Sequence, residues 1–327
     1  MRTRDASAAI LGVGAYRPHR IVDNDTVGAS TGRTAEWIQR RTGIQTRRYA
    51  TAGETVADMA VEAARKAVAD AGLAASDLHA VVVASMSNLR QSPGVAPEVA
   101  HRLGGHAAAF DVNAACAGFC SALALAASLV RDGSAGHVLV VGSDKMTDIV
   151  DPHDPTAGFL FADGAGAMVI SSCDDDGVGP VVWGSDGGRA ELIGHTATWL
   201  EYRDDPTCAW PTMRMSGQEV FRWAIDAVPG IARAALNAAG IAVDDLDAFI
   251  PHQANLRIID AIAQRLDLPP KVTVARDVVT SGNTSAASIP LATARLHELG
   301  VVARGGLALL VGFGAGLTWA AQVVRLP

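Results

Sequence analysis

Residues 71–80 read AGLAASDLHA and residues 239–248 read AGIAVDDLDA, one pattern repeated at an offset of 168. Upstream of each copy stands an amphipathic helical stretch, ETVADMAVEAARKAVAD and GQEVFRWAIDAVPGIARAALNAA. Downstream of each comes a run of strand character, AVVVASM and AFIPHQAN. HVLVVGSDK at 137–145 is answered by GLALLVGFG at 306–314, and a second apolar strand follows each, GAMVISS and TWAAQVVRL. Strands that alternate with helices imply a mostly parallel sheet covered on both faces. A period this long exceeds any solenoid unit. The chain is therefore expected to be α/β, with two duplicated halves packed about a pseudo-two-fold axis. Acid, Gly and Pro cluster in SSCDDDGVGP at 171–180, which places the halves at 1–171 and 172–327.

The repeat also organises candidate chemistry. Adding the offset to Cys116 lands beside Asn283, and both positions read as strand-to-helix turns, FDVNAACAGFCSALALAASLV and ARDVVTSGNTSAASIPLATARLHE. Cys116 and Asn283 are thus expected at equivalent helix N-termini facing each other across the axis. His252 closes the strand that copies 81–84, so three polar groups distant in sequence are expected to converge. The helix after Cys116 is apolar all round, which predicts a central, buried position. The positive end of its dipole favours thiolate, and a thiolate there is an acyl acceptor. Each residue alone has an ordinary explanation: a small core cysteine, a satisfied histidine, a helix-capping asparagine, and a plain turn at GFGAG (312–316). Their joint appearance at repeat-related positions favours the chemical reading.

Composition removes other classes. With 27 Lys+Arg against 34 Asp+Glu, a net charge of −7 and no basic run, the chain offers no phosphate footprint, so no nucleic-acid partner is expected. The amino-terminal MRTRDASAAILGVGAYRP reads as a strand leading into a turn, not a signal peptide, and no apolar run predicts a membrane span. Cys116, Cys120, Cys173 and Cys208 form neither a disulfide framework nor a zinc pattern, which points to a reduced, cytoplasmic protein without a metal.

AACAGF (114–119), PHQANLRII (251–259), GNTSAAS (282–288) and GFGAGLTW (312–319) closely resemble β-ketoacyl-acyl carrier protein synthase III, a thiolase-fold condensing enzyme. EWIQRRTGI (36–44) and FADGAGA (161–167) extend the resemblance over essentially the whole chain. It implies a five-layered αβαβα thiolase fold from two duplicated βαβαβαββ-type halves, and a homodimer with its active site near the subunit interface. It implies that Cys116 accepts an acyl group from coenzyme A, or from an acyl carrier protein, without metal or redox cofactor. His252 and Asn283 then match the pair assisting decarboxylation of malonyl-carrier protein, and the Cys116 and Ala315 N–H groups match the oxyanion hole. Trp37 and Arg41 match the mouth of the pantetheine channel; Ser92, Phe313, Gly217 and Phe221 match substrate-binding positions. Arg222, Arg257 and Arg265 match cations that meet the acidic carrier protein.

Three departures stand out. Pro155 stands where the family often has an Arg that sandwiches adenine against the Trp, and proline supplies neither charge nor planar stack. Coenzyme A and carrier protein therefore both stand as donors. Ser92 occupies a position where some acetyl-specific members carry Phe, which implies a pocket open to larger primers. The aromatic-rich segment 191–215 is expected to line a modified entrance. These features lean toward enzymes that prime polyketides with unusual starters. The alternative within the fold is acyl transfer to an alcohol or amine without condensation; outside enzymology it is a non-catalytic carrier-binding partner. A biosynthetic thiolase would need a second Cys after Cys208, and the chalcone synthase kind carries GFGPG where this chain has GFGAG.

Overall fold

A computed structural model of the 327-residue chain describes residues 7–174 and 177–327. Residues 1–6 of the amino-terminal stretch and 175–176 of the acidic cluster lie outside the described residues. In the first half the strands are β1 (Ser7–Tyr16), β2 (Arg20–Asp23), β3 (Thr46–Tyr49), β4 (Ala80–Ala84), β5 (Ala108–Val112), β6 (His137–Lys145) and β7 (Asp163–Cys173). The second half has β8 (Val182–Ser185), β9 (Ile193–His195), β10 (Met213–Met215), β11 (Ala248–Pro251), β12 (Thr273–Val274), β13 (Leu307–Gly314) and β14 (Thr318–Arg325). The helices are α1 (Asn24–Thr31), α2 (Ala35–Thr42), α3 (Val56–Asp70), α4 (Val95–Arg102), α5 (Gly118–Arg131), α6 (Trp199–Asp204), α7 (Gly217–Ala239), α8 (Leu256–Arg265), α9 (Val278–Ser281) and α10 (Ser288–Leu299).

Two five-stranded sheets repeat one topology, β1-β7-β6-β4-β5 and β8-β14-β13-β11-β12. In each, the fourth and fifth strands pair parallel, as do the third and fourth, while the first two pairings are antiparallel. Only β7 and β14 run against their neighbours, so the sheets are mixed, with four strands of five in one direction. The period-2 pattern of β6 explains the layering. Val138 and Val140 enter the core between the sheets, whereas Leu139 and Val141 face α3 and α4. In β13, Ala308 and Leu310 face the central core and Leu309 and Val311 face α7 and α8. Helices α5 and α10 lie in the middle layer, where Phe119, Leu123, Ile289 and Leu291 share one core with both sheets. The expected αβαβα stacking follows.

The two central helices fix the symmetry. A Cβ on Gly142 of β6 would sit 3.2 Å from Ala287 Cα, and one on Gly312 of β13 would sit 3.1 Å from Ala117 Cα. These contacts exchange partners under an offset of 170, not 168. The decapeptide keeps 168, so two residues enter the second half between the two landmarks. Lacking Cβ atoms, the glycines let each sheet touch the turn that starts the opposite half's central helix.

Candidate active site

Both central helices begin with the same device. A short 3₁₀ turn, Ala115–Ala117 before α5 and Ser285–Ala287 before α10, opens on a left-handed residue, Ala115 at φ 46° and Ser285 at φ 52°. In each, an Asn two residues earlier accepts the backbone N–H of that residue: Asn113 from Ala115 at 3.2 Å, Asn283 from Ser285 at 2.9 Å. The structural mate of Asn283 is therefore Asn113, and that of Cys116 is Ala286. This corrects the expected equivalence of Cys116 with Asn283, although the two do meet in one cavity.

That cavity has a volume of about 630 Å³, and Cys116, His252 and Asn283 all line it. Cys116 is buried, 8% exposed, and its thiol donates to Ser285 Oγ at 3.5 Å. Burial pushes the thiol up to about 12 from an ordinary 9. Desolvation thus opposes the charged form that the helix start favours. Neighbouring Asp144 adds a like-charge penalty.

His252 lies just beyond β11, with Nδ1 2.7 Å from Ser288 Oγ, and Ser288 Oγ also accepts the Gln253 N–H at 3.3 Å. Burial pushes the ring down to about 3, so it is neutral. Because Ser288 Oγ already accepts from Gln253, we assign its proton to Nδ1, which leaves Nε2 protonated and able to donate. Phe313 packs edge-on against the ring, centroids 5.4 Å apart. Asn283 is held through its backbone: its N–H donates to Leu160 and its carbonyl accepts from Ala162. Gly282 before it adopts φ 70°, and a Cβ there would lie 2.8 Å from Ala162 Cβ. With Asn283 Oδ1 bound to Ser285, the amide NH₂ is the free end. Gly314 approaches Cys116 so closely that a Cβ would sit 2.7 Å from Cys116 Cβ, and Ala315 follows it along the cavity wall.

The mouth is basic. Arg33, Arg40, Arg41 and Arg257 border the cavity with Trp37, and none pairs with a carboxylate among the described residues. A guanidinium does cover Trp37, but it comes from Arg33, 4.6 Å from the ring centroid, with its Nε donating to the Pro155 carbonyl at 3.2 Å. Sequence reading missed Arg33, since the contact depends on how the α1–α2 link folds over α2. Gly217 and Phe221 also line the cavity.

Other expected residues stand apart. Ser92 is exposed on the loop before α4 and does not line this cavity. Arg222 borders a separate open concavity of about 770 Å³ beside α7. Arg265 pairs with Asp226 at 3.5 Å, and Arg257 Nε donates to the Arg40 carbonyl at 3.1 Å. From segment 191–215 it is Ile193, Met213 and Met215 that line the cavity; Trp199, Tyr202 and Trp210 instead stack with one another at the surface. The segment thus borders the cavity through aliphatic and thioether side chains rather than through its aromatic ones. Among the described residues no helix is long and apolar enough to cross a membrane.

Comparison with known proteins gives the family. A family model described as 3-oxoacyl-[acyl-carrier-protein (ACP)] synthase III matches residues 110–187, and its C-terminal counterpart matches residues 236–326. The β-ketoacyl-[acyl-carrier-protein] synthase III of Streptomyces glaucescens is 50% identical over 98% of this chain and 96% of its own length. The mycobacterial β-ketoacyl-[acyl-carrier-protein] synthase III of Mycobacterium avium is 49% identical over 97% and 95%. Among solved structures, the priming β-ketosynthase of the R1128 polyketide biosynthetic pathway superposes with a TM-score of 0.98 at 46% identity, covering 100% of this chain and 98% of that one. The 3-oxoacyl-(acyl carrier protein) synthase III of Pseudomonas aeruginosa PAO1 gives 0.90 at 37% identity, covering 98% of each.

Proposed function

The chain belongs to the β-ketoacyl-[acyl-carrier-protein] synthase III family, and on that premise we propose the part each of its own residues takes in the reaction. The enzyme is an acyltransferase that performs a decarboxylative Claisen condensation and so starts a fatty-acid or polyketide chain. Cys116 takes the acyl group from a thioester, of coenzyme A or of an acyl carrier protein, and holds it as a thioester that retains its transfer potential. Malonyl-carrier protein then enters the same cavity. Loss of CO₂ leaves negative charge on the thioester oxygen, and the His252 Nε2–H and the Asn283 amide donate to it. Because His252 is neutral and tied by Ser288, it supplies a fixed dipole rather than a titrating charge. The carbanion attacks the Cys116 acyl carbon, and the N–H groups of Cys116 and Ala315 receive the oxyanion. The Cys116 sulfur leaves as thiolate and takes up one proton from solvent, which restores the thiol, and the chain is two carbons longer.

One observation carries this reading: a buried cysteine, a serine-anchored histidine and a backbone-held asparagine, from both halves, line a single cavity. The unpaired arginines at its mouth suit the phosphates of a pantetheine-bearing substrate. On the flank, Arg222, Arg257 and Arg265 would meet the acidic carrier protein. Family membership supports a cytoplasmic homodimer, and the repeated topology supports one duplication divided near 171/172. The Arg33 guanidinium on Trp37 is a cation at the mouth that supports coenzyme A thioesters among the donors; the priming relative supports a starter other than acetyl. Initial rates with donor and malonyl-carrier protein both varied test the order of events. Parallel double-reciprocal lines are expected; intersecting lines would contradict a shared cysteine.

A further inference from the structure

The residue after His252 does not line the cavity, yet its side chain ties together the segments that carry the two enolate donors. Gln253 is buried, 1% exposed, just beyond β11. Its Nε2 donates to the Pro251 carbonyl at 2.7 Å and to the Ala275 carbonyl at 3.3 Å, and its Oε1 accepts the Val278 N–H at 3.2 Å. Only this orientation of the amide fits, because the reverse would set oxygen against two carbonyls and NH₂ against an N–H. The Gln253 backbone N–H donates to Ser288 Oγ at 3.3 Å, the atom that also holds His252 Nδ1.

The sheet explains why an amide is placed here. β11 pairs with β12 only at Ala248–Thr273 and Phe249–Val274, and the Ala275 N–H then donates to the Phe249 carbonyl at 2.9 Å. Past that point the Gln253 side chain takes over from the ladder and spans from the end of β11 to the start of α9. α9 is a four-residue turn whose N-cap, Asp277, gives no side-chain hydrogen bond, so Gln253 Oε1 satisfies its leading N–H. The Val278 carbonyl in turn accepts the Gly282 N–H at 3.0 Å, and Gly282 precedes Asn283. From the amide, Asn283 is one helical turn away and His252 is one peptide bond away.

We propose that Gln253 is a positioning residue that sets the spacing between His252 Nε2 and the Asn283 amide, so that both donate to one thioester oxygen. The inference rests on the reading of these two residues as the enolate donors. They come from different elements: the His252 N–H donates to the Val311 carbonyl at 2.8 Å, whereas Leu160 and Ala162 hold the Asn283 backbone. Each is fastened to its own neighbours, and the Gln253 amide joins the two supports. Two donors act on one developing charge only when both point at it. Without the amide His252 keeps Ser288 and Val311, while the head of α9 loses its cap and Asn283 shifts relative to the histidine.

Release of labelled CO₂ from malonyl-carrier protein and intact-mass loading test this in wild type, Gln253→Met, Gln253→Glu, Asn283→Ala and the Gln253→Met/Asn283→Ala pair. In Gln253→Met, a displacement of about 1 Å should lower kcat for decarboxylation by about 100-fold. The KM for malonyl-carrier protein and the loading rate should stay within about threefold. Gln253→Glu keeps the acceptor and, protonated between two carbonyls, one donor, so its loss should be smaller, about tenfold; it carries the test should Gln253→Met not fold. In the Asn283→Ala background there is no second donor to place, and Gln253→Met should cost less than about threefold more. Decarboxylation at the wild-type rate in both Gln253 variants, equal slowing of both half-reactions, or the full Gln253→Met factor repeated in the Asn283→Ala background overturns the proposal. Failure of the underlying reading looks different: Asn283→Ala alone would decarboxylate at the wild-type rate.

Discussion

Replacing Asn283 with alanine should divide the two half-reactions, and the fold supplies its own control. The amide oxygen is bound by the Ser285 N–H at 2.9 Å, so the substitution removes one structural acceptor and one free donor. Losing the acceptor strands a buried N–H, worth about 1–3 kcal/mol. For a chain of this size that is a fall of about 2–4 °C in Tm. Losing the donor withdraws one of two hydrogen bonds to the developing enolate, which costs about 2.7–4 kcal/mol, or about 100- to 1000-fold in malonyl decarboxylation. Asn113 makes the same bond, to Ala115 at 3.2 Å, in the symmetry-related turn, but does not line the cavity. Asn113→Ala should therefore show a similar loss of Tm with less than about a tenfold effect on decarboxylation. Release of labelled CO₂ from malonyl-carrier protein reports one half-reaction and the intact-mass loading rate reports the other. Equal loss of both in Asn283→Ala, or the same decarboxylation defect in Asn113→Ala, would refute the assignment.

Other outcomes follow from the same geometry. Decarboxylation should show no histidine limb between pH 5 and 7, because His252 is held neutral down to about pH 3; a limb near 6.5 that vanishes in His252→Gln would contradict this. The same burial has a stability consequence. Below the unfolded-chain value of 6.5 the unfolded state takes up a proton that the folded state refuses, so stability falls as pH drops from 6.5 toward 3; urea midpoints should fall less steeply in His252→Gln than in wild type. Gly314→Ala places a methyl 2.7 Å from Cys116 Cβ and should slow loading by about tenfold or more through displacement of the nucleophile. Charge reversal at Arg222 and Arg265 should raise the KM for malonyl-carrier protein by about tenfold at low salt, with the effect fading as salt rises and loading from acyl-coenzyme A unaffected.

The residues that could be read from sequence are those whose local pattern carries their job. Cys116, His252 and Asn283 each sit in a run of Gly, Ala, Ser or Pro that marks the end of a strand or the start of a helix, and the repeat relates those runs. The duplication itself was legible because AGLAASDLHA and AGIAVDDLDA close equivalent helices. Register within the repeat was not: the offset passes from 168 to 170 before the central helices, which moved the mate of Asn283 from Cys116 to Asn113. The state of the cysteine was also hidden. A helix start argues for thiolate, but how much water the sheets exclude from it is a property of the assembled core. Arg33 gave no signal for a similar reason: it reaches Trp37 across a link between two short helices. Within segment 191–215 the aromatics stack at the surface while Ile193, Met213 and Met215 line the cavity, since a side chain's type says little about which side of a loop it occupies.

The central claim is that Cys116 carries the acyl group between the two substrates. Intact-mass spectrometry of wild type and Cys116→Ala, after mixing with a panel of acyl-coenzyme A thioesters and acyl-carrier proteins, addresses it most directly. The account predicts one acyl mass on wild type, none on Cys116→Ala, and discharge of that mass when malonyl-carrier protein is added. A mass gain that persists in Cys116→Ala, or an acyl-enzyme that malonyl-carrier protein leaves intact, would contradict it.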